Sequence, residues 1–224
     1  MRRLIQFALL TLAVLVVAAL VAAWMIYRAT QAEGPTFYAE ALTMPPEVAL
    51  EQGDQFEQQV LTLRNRSRRT GEWGATVSDE QINGWLSSHL LDKLPDALPP
   101  GVTDPRVAID EDGLAVACRY ESDGFSTVLS LKVDAYLTDR PNQLALRFRS
   151  VRAGRMPLPL GSILEQLTTL AREANVPVGQ SQQEGDPVVL ITVPSQHPET
   201  KQPVRVEYLR FGAGSVKVGG SSGS

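Results

Sequence analysis

The chain has 224 residues and a formal net charge of −4, which suits one compact domain with accessory segments and argues against nucleic acid as the main partner. A single cysteine excludes an intramolecular disulfide framework and a cysteine-based zinc cluster, and two histidines leave little material for a histidine-rich metal site. We therefore expect neither a bound metal nor another cofactor.

The most distinctive segment is the apolar run at the N-terminus. Residues 4–26 carry no charged side chain, and as a helix they would be roughly 34 Å long, enough to span a bilayer core of about 30 Å. Because Arg2 and Arg3 precede the run, the positive-inside rule predicts a cytoplasmic tip at residues 1–3 and a single-pass signal-anchor at residues 4–27 of the cell membrane. The rest of the chain would then be extracytoplasmic. A cleaved signal peptide is the alternative, although its apolar core is normally shorter.

A linker and a charged helix are predicted next. Prolines in the linker, residues 28–46, prevent the membrane helix from continuing. Residues 47–70 have the pattern of a juxtamembrane helix, with acidic residues at its start and arginines at its end. The arginines complement the helix dipole, and contact with anionic lipid is their alternative role. The predicted apolar stripe consists of Val48, Phe56, Val60 and Leu63.

Residues 71–218 are predicted to form the extracytoplasmic domain. Glycines at 71–74 separate its first helix from the preceding one, and Ser78 with Gln81 has the pattern of a capping box. Apolar residues follow at helical spacing, and the polar residues between them, including Asn83, are expected on the opposite, solvent-facing side. The apolar face consists of Ile82, Trp85, Leu86, Leu90 and Leu94.

From residue 102 the hydrophobic period changes to two. Alternating runs with turns at 110–113, 122–124 and 138–142 predict an antiparallel meander. A second amphipathic helix at 162–174, a polar loop at 180–186, an apolar strand at 188–193, a closing hairpin over 204–218 and a flexible tail at 219–224 complete the chain. The expected fold class is therefore α+β, with two amphipathic helices packed on a curved antiparallel sheet of about six strands.

Candidate catalytic residues are few, and each has a structural interpretation. His89 is expected to pack at a helix edge, and Cys118 lies in phase with apolar strand residues. His197 is a loop histidine without an accompanying nucleophile motif, so a hydrolase that uses it is only a third hypothesis. The acidic residues 110–112 lack the ligand spacing of a calcium loop and are expected to form a turn. We expect no catalytic residue and no enzymatic activity.

The remaining functional signal is apolar shape. If the helices stand away from the sheet, they would leave a groove for an acyl chain, in which each buried CH₂ contributes about 0.8 kcal/mol. If the helices fill the sheet, the same residues form an ordinary core. The candidate ligand-binding residues of such a groove are Trp85, Leu129, Leu131, Leu146, Leu160 and Leu164.

The order of these parts resembles that of the YpmS-like bacterial single-pass membrane-anchored proteins. The matching pieces are the N-terminal span, the capped helix that reads SDEQINGWL over residues 78–86, the strand meander, and the LPLG entry to a helix at residues 158–161. That family is similar in architecture to tubular lipid-binding proteins, so the resemblance implies a non-enzymatic, lipid-handling role and supplies no catalytic residues.

Two functions from different classes follow as expectations. The first is a membrane-tethered extracytoplasmic module that binds a lipid or another apolar ligand between helices and sheet. The alternative is a structural or protein-interaction module of the cell envelope without a ligand cavity, which would present an apolar patch or a sheet edge to an envelope protein.

Overall fold

The computed structural model describes residues 34–122, 125–158, 178–197 and 201–223, and over these residues the chain has an α+β fold. No helix within those ranges is both long and apolar enough to cross a bilayer. The predicted span at 4–27 and the predicted helix at 162–174 lie outside the described residues. The described helices are α1 (Thr36–Leu42), α2 (Pro46–Ser67), α3 (Asp79–Ser88) and the single turn α4 (Leu90–Lys93).

Ten strands lie within the described residues and form two sheets. Their bounds are β1 (Gly71–Ser78), β2 (Val102–Ile109), β3 (Gly113–Ser122), β4 (Phe125–Leu137), β5 (Gln143–Ala153), β6 (Met156–Pro157), β7 (Val178–Gln183), β8 (Asp186–Thr192), β9 (Val204–Gly212) and β10 (Ser215–Ser222).

The larger sheet has seven strands in the order β2-β3-β4-β5-β8-β7, and β6 pairs with β5. All its pairs are antiparallel, which confirms the predicted meander from β2 to β5. The predicted apolar strand at 188–193 corresponds to β8, which lies between β5 and β7. The prediction of a polar loop at 180–186 is wrong, because residues 178–183 pair with β8 as an edge strand whose side chains at 179–183 are exposed.

The smaller sheet has the order β1-β10-β9 and differs most from expectation. The closing hairpin of β9 and β10 does not extend the larger sheet, because β10 pairs with β1 along eight residues. Residues 71–74, predicted as a break between helices, begin β1. Residues 219–222, predicted as part of a flexible tail, complete β10, where Ser222 is almost fully buried.

Trp73 attaches the smaller sheet to α2. Its indole Nε1 donates to the Ser222 hydroxyl at 2.9 Å, and that hydroxyl donates to the Ser67 carbonyl at 2.8 Å. Trp73 and Ser222 are both buried, so these polar groups are satisfied where water is absent. The last turn of α2 is thereby fixed against the strand that follows it.

Helices α2 and α3 cross at small residues. A Cβ atom added to Gly84 would lie 2.6 Å from the Gln52 Cβ and 2.7 Å from the Ala49 carbonyl oxygen, so only glycine fits there. Ala49 and Gly53 are the buried positions of α2, whereas Val48 and Val60 are exposed. The apolar stripe predicted for α2 is wrong at those two valines, because the helices approach too closely for large side chains to lie between them.

Helix α3 begins as expected and ends earlier. Ser78 and Gln81 make both hydrogen bonds of the capping box, at 3.1 and 3.2 Å. The helix ends at Ser88, and Leu94, predicted on its apolar face, is exposed. The strand contacts of α3 are with β2 and β1, so this helix lies at the edge of the larger sheet and not across its broad face.

Two buried asparagines join these parts. The Asn83 amide donates to the Val107 carbonyl and accepts from the Val107 N–H, both at 2.8 Å, so it takes the place of a neighbouring strand at the free edge of β2. Asn142, in the β4–β5 turn, donates to the Val204 carbonyl at 2.6 Å and accepts from the Val206 N–H at 2.8 Å. The expectation that Asn83 faces solvent is therefore wrong.

The two faces of the larger sheet differ in polarity. One face carries the buried cluster of Val133, Phe148 and Val189, against which Leu131, Leu146 and Ile191 pack. The other face carries Arg147, whose guanidinium bonds to Glu184 at 2.8 Å and to Asp186 at 2.7 Å. The hydrogen bonds that Arg147 donates to these carboxylates, the one to Glu184 first, raise the pKa of Arg147 above its ordinary value. This face is the one on which α1 packs, near β2.

Candidate functional site

The residues predicted to line an apolar groove occupy two places. Leu131 and Leu146 pack against the core cluster of the larger sheet, and Leu129 follows the same alternation along β4. Leu160 and Leu164 lie outside the described residues. Trp85 is elsewhere, in α3, where its ring centroid is 5.9 Å from that of Phe56.

Trp85 has a structural role between two helices. Its Nε1 donates to the Glu57 carboxylate of α2 at 3.1 Å, and Lys93 donates to the same carboxylate at 3.2 Å. These two hydrogen bonds, the one from Trp85 first, lower the pKa of Glu57. Trp85 therefore packs α3 on α2, through Phe56 and Glu57.

A cavity of about 590 Å³ lies between the α3–α4 region and the start of the β2–β3 hairpin. One wall is apolar. Its leucines come from α3, α4 and the loop after α4, because the helical residues 86, 90 and 91 project to one side and the prolines that follow direct the loop back across it. The apolar lining residues are Leu86, Leu90, Leu91, Pro95 and Leu98.

The opposite wall is charged and comes from two paired strands. It contains Asp104 and Arg106 of β2 and Arg119 and Glu121 of β3. Among the described residues, none of these four side chains makes an ion pair with another. Charges of both signs therefore face an apolar wall across one cavity.

Arg106 is the unusual member of this wall. It is only 8% exposed, and its one hydrogen bond is from Nη1 to the carbonyl of the preceding Pro105, at 2.7 Å. Its Nε is buried and has no partner among the described residues. A guanidinium does not lose its proton in proteins, so this charge is buried with no compensating carboxylate.

A β-bulge places Arg106 in this position. The pairing of β2 with β3 shifts between Thr103 and Arg106, so that Asp104 and Pro105 lie opposite Cys118 alone. Asp104 has a φ of 49°, in the left-handed region that side chains other than glycine rarely adopt. Bulges and strained residues are found preferentially near functional sites, which agrees with the charged wall beside them.

Tyr38 of α1 lies against the same charged residues. It is buried, and its hydroxyl has no hydrogen-bond partner among the described residues. Burial raises the pKa of Tyr38; the neighbouring Asp104 raises it further, and Arg119 lowers it. The Tyr38 hydroxyl therefore lies near Asp104 and Arg119 of the charged wall, although Tyr38 does not itself line the cavity.

A second, larger groove of about 770 Å³ lies between residues 34–37 and the polar face of the larger sheet. Its charged lining residues are Asp110, Lys132, Arg152 and Arg155, and Lys132 bonds to Asp110 at 3.2 Å. Arg152 and Arg155 are exposed, so water solvates their charges. This groove lacks a buried unpaired charge and is the weaker candidate.

Ser88, His89 and Asp54 resemble a hydrolytic triad in distances alone. The Ser88 hydroxyl lies 2.5 Å from the His89 Nδ1, and the His89 Nε2 lies 3.0 Å from the Asp54 carboxylate. However, the Ser88 hydroxyl also donates to the Gly84 carbonyl of its own helix at 2.7 Å. The helix backbone therefore competes with His89 for the one hydroxyl proton of Ser88, which is unlike the serine of a hydrolytic triad. These three residues tie α2 to α3.

His197 and Cys118, the other candidate catalytic residues, also have structural roles or environments that disfavour catalysis. Arg68 donates to the His197 Nε2 at 3.3 Å, so that ring nitrogen is an acceptor within the fold. Cys118 is half-buried in β3, and burial raises the pKa of its thiol, which disfavours the reactive thiolate.

Comparison with known proteins gives no relatives for this chain. It matches no family model, no curated protein and no solved structure.

Proposed function

We propose that this protein is a membrane-tethered, extracytoplasmic module that binds an amphiphile, such as a lipid, in the cavity between α3–α4 and the β2–β3 hairpin. The observation that carries the proposal is the pairing of a leucine wall with a charged wall across about 590 Å³. Ligand pockets combine apolar lining with converging polar groups, and this cavity has an apolar wall of leucines and a charged wall. The proposal is non-enzymatic.

The tether is the apolar run at residues 4–27, with the N-terminus in the cytoplasm. Helix α1 starts at Thr36, nine positions after that run ends, and an extended chain spans at most about 3.6 Å per residue. The start of α1 would therefore lie within roughly 32 Å of the end of the span. A lipid that leaves the bilayer surface would have only a short distance to travel.

Photo-crosslinking of the full-length chain in membranes tests the proposal. A phospholipid with a diazirine on its acyl chain should label peptides that contain Leu91 or Leu98. Leu91→Asn should reduce labelling about three- to tenfold, because burial of part of a leucine contributes about 1 kcal/mol. Leu91 is 59% exposed, so its replacement should leave the fold intact.

Leu61→Asn is the matched control. Leu61 is 54% exposed on α2, carries the same side chain in the same type of element, and does not line the cavity. Its replacement should leave labelling unchanged. Labelling distributed over the whole surface, or equally reduced by both substitutions, would rule out this cavity as the lipid site.

An envelope interaction module is the second candidate. Large apolar side chains are exposed on α2, on α4 and directly after α4, and exposed apolar patches are typical of docking surfaces. These residues are Leu50, Leu61, Leu91 and Leu94. Crosslinking in intact cells separates the two functions, because a docking surface would trap a protein and the cavity would trap a lipid.

A further inference from the structure

The starting observation is a contrast between two buried arginines of the same sheet. The side chain of Arg147 is 8% exposed and bonds to the carboxylates of Glu184 and Asp186. Arg106 is equally buried and bonds only to a backbone carbonyl. Buried charges are normally paired, and a guanidinium cannot escape the cost of burial by losing its proton. The counter-ion of Arg106 is therefore absent from the described chain.

We infer that the amphiphile bound in this cavity carries a phosphate or carboxylate group that serves as the counter-ion of Arg106. This inference rests on the proposed function and specifies its ligand. Arg119 lines the same wall and adds a second positive charge within the cavity. Both oxyanions match the fork of a guanidinium, which can bind either through two parallel hydrogen bonds.

The carboxylates of the same wall limit how much negative charge the ligand carries. Asp104 and Glu121 line the same cavity as Arg106 and Arg119, so the lining carries no net formal charge, although neither carboxylate forms an ion pair with Arg106. A polyanion such as a nucleoside triphosphate would be repelled by these two carboxylates. A head group with one phosphate fits better, and one that adds an amine gains an attraction to the carboxylates at the cavity rim. A phosphoethanolamine lipid has both groups.

The position of the leucines indicates where the acyl chain of the ligand binds. Leu86, Leu90 and Leu98 are at least half buried on the wall opposite the arginines. An acyl chain on this wall removes apolar surface from water while the head group pairs with Arg106. The acidic group would thus bind to a buried arginine. At a membrane surface, by contrast, lipid head groups bind to exposed basic side chains.

The test uses the full-length chain in detergent with four diazirine-labelled probes: diacylglycerol, fatty acid, phosphatidylglycerol and phosphatidylethanolamine. We expect the three probes with an acidic group to label residues 86–121 about ten- to a hundredfold more than diacylglycerol, the range expected for a hydrogen-bonded charge. Arg106→Leu should remove this preference, and Arg140→Gln, at an exposed turn outside the cavity, should retain it.

Thermal unfolding without lipid separates ligand binding from a structural role for Arg106. Replacing a buried charge that has no partner by a leucine of similar bulk should leave the unfolding midpoint unchanged or raise it. Arg147→Leu should lower the midpoint, because Glu184 and Asp186 lose their partner. A lower midpoint for Arg106→Leu would indicate a structural arginine and would overturn the inference.

The outcomes distinguish this inference from the proposed function. If all four probes label the cavity equally in both the parent chain and Arg106→Leu, lipid binding stands and the counter-ion role falls. If no lipid probe labels it but glycerophosphoethanolamine raises the midpoint only when Arg106 is present, the acidic-group site stands and the lipid function falls. If neither occurs, both proposals are rejected.

Discussion

At the scale of single residues, Asn83 makes the two backbone hydrogen bonds to β2 that a neighbouring strand would otherwise make. Its amide supplies both a donor and an acceptor to Val107, and aspartate is the polar side chain that most closely matches it in shape. Asn83→Asp keeps the shape but removes the donor, so a carboxylate oxygen would face the Val107 carbonyl oxygen. We expect a loss of about 2–4 kcal/mol in the free energy of unfolding, because a buried backbone group is left unpaired beside a buried charge.

Denaturant unfolding monitored by tryptophan fluorescence measures this loss. Asn65→Asp, at an exposed position of α2, makes the same chemical change and should alter stability by less than about 0.5 kcal/mol. Equal effects at the two positions would show that the new charge, and not the lost strand-like hydrogen bonds, determines stability.

Asp110 gives the domain a defined acid dependence. Burial opposes its ionisation, but hydrogen bonds from Lys132 and from the backbone of Asp112 and Gly113 outweigh burial and lower the pKa of Asp110. A lowered pKa in the folded state means that the stabilisation is present above the unfolded-state value, near 3.9, and is lost as the pH falls through the folded value. Asp110 is 46% exposed, so solvent screening limits the effect to about 1 kcal/mol.

Comparison of the parent chain with Asp110→Asn between pH 7 and pH 2 checks this expectation. The parent should be more stable at neutral pH, and the difference should shrink below pH 4. Asparagine keeps the turn because its carbonyl oxygen can still accept from residues 112 and 113. Glu111→Gln, next in the chain and exposed, should show no such pH-dependent difference.

The buried Arg106 of the candidate site could not be identified from the sequence. Alternation along β2 places Val107 and Ile109 inward and therefore predicts an outward, solvated Arg106. The bulge at residues 104–105 and the packing of α1 beside β2 cover the second face of this strand as well, so Arg106 becomes buried. Both effects depend on tertiary contacts that a local period does not contain.

At the scale of elements, the crossing of α2 and α3 depends on Gly84. Alanine is the better helix former by about 1 kcal/mol, so Gly84→Ala would stabilise an isolated helix. Here its Cβ would meet the Ala49 carbonyl and the Gly53 nitrogen, which are backbone atoms that cannot move aside. We therefore expect a net loss of about 1–3 kcal/mol in the free energy of unfolding.

Thermal unfolding of Gly84→Ala and Ser87→Ala tests the crossing. Ser87 lies one turn further along the same helix and is exposed, so its replacement should change the free energy of unfolding by no more than about 0.5 kcal/mol. A more stable Gly84→Ala variant would mean that the helices can separate without cost.

The sequence predicts the elements that depend on residues close together in the chain, and it does not predict those that depend on distant pairing. The capping box at Ser78 and the turns of the meander use residues within four positions of each other, so the sequence displays them. Strand β1 contains two glycines and has no alternation of its own; it becomes a strand only because β10, about 140 residues later, pairs with it. Distant pairing of this kind leaves no periodic pattern in either segment.

At the scale of the whole molecule, the β1–β10 register offers a direct test of the topology. Thr76 lies opposite Lys217 across these antiparallel strands, and both side chains are exposed. Opposed residues of an antiparallel pair have Cα atoms about 4.5–5.5 Å apart, within the range of a disulfide. Oxidised Thr76→Cys/Lys217→Cys should be more stable than its reduced form by about 2–4 kcal/mol.

Thr76→Cys/Arg210→Cys is the control for this design. Arg210 lies opposite Lys217 on the next strand, so it is two strand spacings, about 9–10 Å, from β1 and cannot form an unstrained disulfide. Efficient crosslinking of the control pair, or none of the Thr76/Lys217 pair, would contradict the order β1-β10-β9.

The same pairing has a consequence for biosynthesis. A ribosome adds about 5–20 residues per second, so β1 emerges on the order of ten seconds before its hydrogen-bonding neighbour is made. During that interval the nascent chain exposes an unpaired strand and the indole of Trp73. We expect newly made protein to need a chaperone over this period, and a polypeptide interrupted before residue 215 to be degraded.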